Sequence, residues 1–364
     1  MSETRAYVIG RPDVPRWVER ILERGQVIAP KAAWGSDVIY DVVQSPAEVA
    51  WDYSTTFSPL KRFLFPQTDT LLQWERQGGS GLQVSPTYDE TERVFLAVRP
   101  CDVSGVLYLD RALGGDRPDI YYLKRRARST LVALACTEPG DHCFCVCAHS
   151  GPFLESGYDL QLTPLPGRYL AEVGTAKGAA LVEAAAELFS PAPEQAVEAR
   201  RDLAREAEAR FGDERAYFAA ALRKLTFDRV PDDLWDEMAD RCLSCGGCTF
   251  VCPTCSCFST ADAEEQCSEA SQTGSRASGC RQRIWDSCSF EAYSLEASGH
   301  NPRAARKHRL KARFFHKLSH QFVRRWETHG CVGCGRCVTV CMGGDDMPAV
   351  TAKIRRGKEQ CSKL

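Results

Sequence analysis

The 364-residue chain has no apolar run approaching the roughly 20 residues that a helix needs to cross a bilayer. Residues 1–30 are polar and charged, with no apolar core of the kind a secretory leader requires. Neither sign of charge is in excess: 46 Lys and Arg stand against 48 Asp and Glu, a net charge of −2, which gives no support to a nucleic-acid-binding class. Both glycine-rich phosphate cradles, G-x-G-x-x-G and the P-loop, are missing, so no backbone nest for a dinucleotide or a nucleoside triphosphate is expected in this chain. The first hundred residues hold no cysteine. What remains is a soluble composition, 44% hydrophobic and 26% charged, long enough for two or three domains and expected in the cytoplasm.

Against these absences stand nineteen cysteines. In a short secreted chain they would read as a disulfide scaffold; in a long chain expected to be cytoplasmic, tight clustering points to metal ligation. Five lie between Cys101 and Cys147, nine between Cys242 and Cys288, and five from Cys331 to Cys361. This distribution predicts an α+β fold in three parts. Residues 1–170 form an N-terminal α+β domain, 171–235 a helical connector, and 236–364 a ferredoxin-like dicluster domain with a long insertion. In the first part, the apolar runs 94–98 and 131–135 read as buried strands that each end at a cysteine loop. In the connector, helices are expected over 179–189, 193–211 and 213–225, the first stopped by Ser190-Pro191-Ala192-Pro193. Residues 268–279 read as a polar loop.

One motif occurs twice. Cys242-Leu-Ser-Cys245-Gly-Gly-Cys248-Thr-Phe-Val-Cys252 and Cys331-Val-Gly-Cys334-Gly-Arg-Cys337-Val-Thr-Val-Cys341 both obey C-x2-C-x2-C-x3-C, the bacterial ferredoxin run. Three thiolates two residues apart on a tight loop can wrap three corners of a cubane, and the interspersed glycines permit the turns. In two-cluster ferredoxins the fourth cysteine of each run serves the other cluster. The expectation is therefore crossed: Cys242, Cys245, Cys248 and Cys341 on one [4Fe–4S] cluster, Cys331, Cys334, Cys337 and Cys252 on the other. A pair of zinc ribbons is the competing reading, but two full runs of this spacing fit tetrahedral zinc poorly. Pro253 follows the first run, whereas Met342 stands at the corresponding place after the second.

The remaining cysteines are less diagnostic. Cys101, Cys136, Cys143 and Cys145 would suffice for a third [4Fe–4S] cluster in the N-terminal domain, with zinc or free thiols as alternatives. Cys255, Cys257 and Cys288 read either as cluster-lining residues or as small buried side chains. Cys267, Cys280 and Cys361 have no motif around them. Over 303–326, nine basic residues mix with Phe314, Phe315, Phe322 and Trp326. Phe315, Leu318 and Phe322 fall on one helical face, so the segment reads first as a solvated amphipathic helix. The second reading is a positive surface that docks a partner or offsets cluster charge.

The strings CLSCGGCTFVCPTCSCF, WDSC at 285–288 and HGCVGCGRCVTVC resemble the beta subunit of cytoplasmic NiFe hydrogenases of the sulfhydrogenase type, and are also similar to the iron–sulfur subunit of anaerobic sulfite reductases. SPLKRFLFPQT at 58–68, VRPCD at 98–102, LDR at 109–111 and Cys143-Phe-Cys145 extend the resemblance over most of the chain. The resemblance implies an electron-transfer subunit rather than a free-standing catalyst. It would relay electrons with a flavin- and NAD(P)-binding reductase subunit on one side and a hydrogenase or reductase catalytic subunit on the other. It also favours an N-terminal cluster, with Cys147 the least favoured ligand. A reductase using the N-terminal cysteines as its substrate site and a zinc-stabilised scaffold are the rival classes. Turnover by the isolated chain tests the first, and the brown colour of iron–sulfur clusters tests the second.

Overall fold

The computed structural model describes residues 5–77, 81–211, 218–264 and 276–357. Its fold is α+β, built on two sheets. The larger has eight strands: β1 (Ala6–Gly10), β2 (Gln26–Ala32), β3 (Val38–Val43), β6 (Arg93–Val98), β7 (Ser129–Leu134), β8 (Leu160–Leu165), β9 (Arg168–Val173) and β10 (Phe189–Pro191), in the order β10-β1-β9-β8-β7-β6-β2-β3. Its centre, β2-β6-β7-β8, is parallel, and the flanking pairs are antiparallel. The expected strand runs at 94–98 and 131–135 are β6 and β7.

Burial on both faces explains the continuous apolar runs. Val94, Leu96, Val132 and Leu134 face a core shared with α1 (Val14–Leu22) and α4 (Ala176–Glu183). Phe95, Leu131 and Ala133 face the opposite core, shared with α2 (Pro100–Gly114) and α3 (Ile120–Ala127). At the end of β6 a bulge puts Ala97 in the left-handed region, φ 55°, just before the chain turns into Arg99-Pro100-Cys101. The carboxyl ends of parallel strands are where such sheets hold ligands. Here β6 ends three residues before Cys101, and β7 two residues before Cys136.

The sheet runs past the boundary expected at residue 170. The helix expected over 179–189 stops at Glu183, and Phe189–Pro191 pairs with β1 as an edge strand, a place that tolerates proline. The second connector helix is α5 (Glu194–Ala209), packed on the sheet through Ala196. Of the third, 213–217 lie outside the described residues, and α6 (Phe218–Thr226) is the remainder.

A second core joins α6, α7 (Asp232–Arg241), α9 (Arg306–Leu318) and α12 (Met347–Arg356) around Trp235, Met238, Phe314 and Val350. Phe144 and Cys331 belong to it, so the N-terminal cysteine loop and the second ferredoxin run share one hydrophobic core. Two short helices, α8 (Gly247–Phe250) and α11 (Arg336–Val340), begin directly after Gly246 and Gly335 of the two runs, and α10 (His320–Trp326) follows α9.

The smaller sheet has the order β11-β12-β4-β5, all antiparallel: β4 (Thr68–Gln77), β5 (Leu82–Pro86), β11 (Phe258–Glu264) and β12 (Arg276–Trp285). Of the loop expected over 268–279, residues 268–275 lie outside the described residues, and 276–279 are the start of β12. At the base of the sheet, buried Asp69 accepts from Arg125 at 3.0 and 2.5 Å and from Arg283 at 2.7 Å. The insertion between the ferredoxin runs is thus bound to a hairpin from the first hundred residues.

Candidate iron–sulfur centres

Cys242 caps the carboxyl end of α7, and the chain turns through Ser244 (φ 52°) and Gly246 (φ 74°) into α8. A Cβ on Gly246 would lie 2.8 Å from the Phe290 ring, so the turn needs glycine for both space and conformation. Cys242, Cys245 and Cys248 line a cavity of about 450 Å³, and the fourth thiol on its wall is Cys341, from the other run. The Asp345 amide donates to Cys341 Sγ at 3.2 Å. The rim carries Leu243 and Met342, 62% and 91% exposed, beside the exposed Cys245.

The second run turns through Gly333 (φ 60°) and Gly335 (φ 78°). Its thiols are buried: Cys331 and Cys337 are pushed up by burial first, then by the repulsion of neighbouring thiols that include Cys252 and Cys334; Cys337 reaches about 12. Cys252 therefore sits with Cys331, Cys334 and Cys337. A hydrogen-bond chain holds it there: Thr254 Oγ1 lies 3.2 Å from Cys252 Sγ and donates to Gly330 O at 2.6 Å.

The third group lines a cavity of about 290 Å³: Cys101, Cys136, Cys143 and Cys145, with Arg99, Gly151 and Cys334. Burial raises all four thiols, Cys143 to about 11. Cys147 turns away and packs against the helical core. The loop carrying Cys143 and Cys145 lies directly on the second run. Phe144 N donates to Gly333 O at 2.8 Å, and a Cβ on Gly333 would come within 2.6 Å of the Cys145 backbone. Arg336, between Cys334 and Cys337, makes a fork to Asp102, next to Cys101, at 2.9 and 2.7 Å. The same guanidinium donates to Thr56 O and Oγ1, both at 2.7 Å.

In all three groups the thiols ring a void. Among the described residues, no three Cys, His, Asp or Glu side chains converge closely enough to hold a single ion. All-thiol donor sets spread around a void suit a polynuclear cluster.

The charge balance points the same way. Lys61, Arg313 and Lys317 are 3%, 4% and 3% exposed, yet none has a carboxylate partner among the described residues. Lys61 Nζ donates to Cys255 O at 2.7 Å and Lys317 Nζ to Thr254 Oγ1 at 2.5 Å, while Arg313 Nε has no hydrogen-bond partner among the described residues. Unpaired buried cations are strongly unfavourable unless an anion lies nearby. Their neighbours are cysteines: Cys252 and Cys255 beside both lysines, Cys248 and Cys337 beside Arg313. Clusters bound by four thiolates are anionic and supply the missing charge.

This corrects the first reading of 303–326. Leu318 is buried, but Arg309, Arg313 and Lys317 are buried with it, while Phe315 and Phe322 are half-buried. The spacing of these three basic residues, four apart, is the signal in the sequence that could have placed them on one face. Sequence reasoning also missed Lys61, which comes from the N-terminal third. Cys257 and Cys288 meet in a hydrogen bond, Cys255 contacts Cys252, and Cys267 and Cys361 lie outside the described residues.

Comparison with known proteins agrees with this chemistry. The 4Fe-4S dicluster domain family matches residues 241–344. Sulfhydrogenase 2 subunit beta of Pyrococcus furiosus is 30% identical over 349 residues, covering 94% of this chain and 96% of that protein. No helix among the described residues is long and apolar enough to cross a membrane. The chain belongs to the sulfhydrogenase beta-subunit family, iron–sulfur electron-transfer proteins with a 4Fe-4S dicluster domain.

Proposed function

We propose that the chain is the cytoplasmic relay subunit of a multisubunit oxidoreductase. It passes electrons from one partner to another, one being a flavin- and NAD(P)-binding reductase subunit, the other a catalytic subunit of NiFe hydrogenase type. Three [4Fe–4S] clusters are assigned: one to Cys242, Cys245, Cys248 and Cys341, one to Cys331, Cys334, Cys337 and Cys252, and one to Cys101, Cys136, Cys143 and Cys145. The observation that carries this reading is the set of buried cations, Lys61, Arg313 and Lys317, facing cysteines with no carboxylate among them. Each cluster, when bound, supplies one-electron redox chemistry.

The chain's own residues set the conditions for that chemistry. Lys317 and Arg313 hold positive charge beside the thiolates, favouring the more negative reduced state. Gly333 lets the N-terminal loop sit against the second run, so two of the assigned sites share a wall that includes Cys334. The apolar rim of Leu243 and Met342 beside exposed Cys245 suits contact with a partner's cofactor.

Iron and acid-labile sulfide, measured on the anaerobically purified chain, should each reach about twelve per chain, at about four per cubane. About eight would remove the N-terminal cluster from the relay, and fewer than about four would sink the relay reading.

Lys317→Met should lower the potential of the cluster assigned to Cys331, Cys334, Cys337 and Cys252. One charge at roughly 7 Å with an effective dielectric of about 20 contributes about 2 kcal/mol, on the order of 100 mV for one electron. A redox titration followed by electron paramagnetic resonance measures the shift. An unchanged potential would show that Lys317 does not act on that cluster.

A further inference from the structure

Cys257 and Cys288 lie outside the three assigned sites, yet they are the cysteines placed between two of them. Cys257 is five residues beyond Cys252. Its carbonyl accepts from Asp286 N at 3.0 Å, continuing the β11–β12 ladder by one step beyond Phe258 and Trp285. That step brings Cys288, two residues further on, back to Cys257, and the two sulfurs are within hydrogen-bonding distance. Tyr293 donates a second hydrogen bond to Cys257.

Cys288 is held against the first ferredoxin run by both of its neighbours. The Ser287 hydroxyl is 2.9 Å from that of Thr249, the residue after Cys248, and a Cβ on Gly246 would lie 3.1 Å from Ser287. Ser289 lines the cavity of Cys242, Cys245, Cys248 and Cys341. Both Cys257 and Cys288 are free and half-buried. Among the described residues, no third metal-binding side chain joins them to make an ion site.

We infer that Cys257 and Cys288 form a redox-active dithiol that exchanges electrons with the iron–sulfur clusters on either side of it. The inference rests on the cluster assignments proposed above. On oxidation, both S–H bonds break and one S–S bond forms. Two protons leave to solvent, and two electrons leave one at a time, each taken by an oxidised [4Fe–4S] cluster on either side. The reverse step takes two electrons from reduced clusters and two protons, and breaks the S–S bond. The pair thus stores two electrons where each cluster stores one. The β-ladder supplies the geometry, since it fixes both ends of the pair in a frame that need not move far to close a bond. Tyr293 is a positioning residue that holds Cys257 toward its partner.

The test uses the full chain, purified anaerobically with its clusters. It is poised at a series of potentials with redox mediators, and thiols are trapped with iodoacetamide. Peptide mass spectrometry should then find Cys257 and Cys288 alkylated at low potential and joined as one disulfide-linked peptide at higher potential. Coulometry should count about two more electrons per wild-type chain than per Cys288→Ser chain, at unchanged iron content. Two results overturn the inference while leaving the relay intact. One is full iron content with no Cys257–Cys288 disulfide at any potential. The other is loss of about four irons in Cys288→Ser, which would make the pair cluster ligands. Little or no iron in the wild-type chain overturns the relay reading and the coupling together. Cys257→Ser serves as a second variant should Cys288→Ser fail to fold.

Discussion

Arg336→Met should be among the most destabilising single substitutions in this chain, lowering stability by about 3–5 kcal/mol. The guanidinium is 2% exposed and its partner Asp102 1% exposed, so the substitution leaves a buried carboxylate with only Tyr40, at 3.0 Å, still donating to it. Thr56 O and Oγ1 lose their donors as well. Replacing both members with apolar side chains, Asp102→Leu with Arg336→Met, should be milder than Arg336→Met alone, because no charge is then left buried. Thermal unfolding of the three chains under anaerobic conditions checks the ranking. A single variant within about 0.5 kcal/mol of the wild type would mean that the pair contributes nothing beyond a surface ion pair.

Cys341→Ser should remove one whole cluster, about four irons per chain, and the cluster lost should be the one assigned to the first ferredoxin run. This is the counter-intuitive result, since Cys341 belongs to the second run. It follows from the wall shared by Cys341 with Cys242, Cys245 and Cys248. Cys252→Ser should do the converse and empty the group of Cys331, Cys334 and Cys337. The two variants are distinguished by Lys317. Adding Lys317→Met should change the potential of the cluster remaining in Cys341→Ser, but leave that remaining in Cys252→Ser close to its single-variant value. If each run supplied all four ligands of its own cluster, the two variants would exchange behaviours.

Much of this organisation is legible in the chain. The two runs are identified by spacing alone, because a cubane imposes its own dimensions on any backbone that wraps it. The buried strands β6 and β7 are also legible, since continuous apolar runs ending at cysteine loops have few other uses in a soluble chain. Other features are hidden because they depend on distant partners. Phe189–Pro191 reads as a helix stop, and only the presence of β1 makes it a strand. Arg309, Arg313 and Lys317 read as a solvated face because helical periodicity treats charge as outward-facing. The rule fails where a buried anion waits inside. Lys61 carries no signal at all: its role depends on Thr249 and Cys255, whose carbonyls it reaches at 3.3 and 2.7 Å from far along the chain.

The four-stranded sheet has a consequence for how the polypeptide is made. β4 leaves the ribosome early, but its neighbour β12 is roughly two hundred residues behind it, so the hairpin of β4 and β5 must wait with one edge unpaired. Until β12 arrives, Leu72 and Trp74 stand beside an open strand edge. After it arrives, the first hundred residues and the insertion between the ferredoxin runs are one cooperative unit. A gene cut between the halves would therefore yield an N-terminal fragment with an adhesive edge, and the two fragments, expressed together, would find each other by completing that sheet.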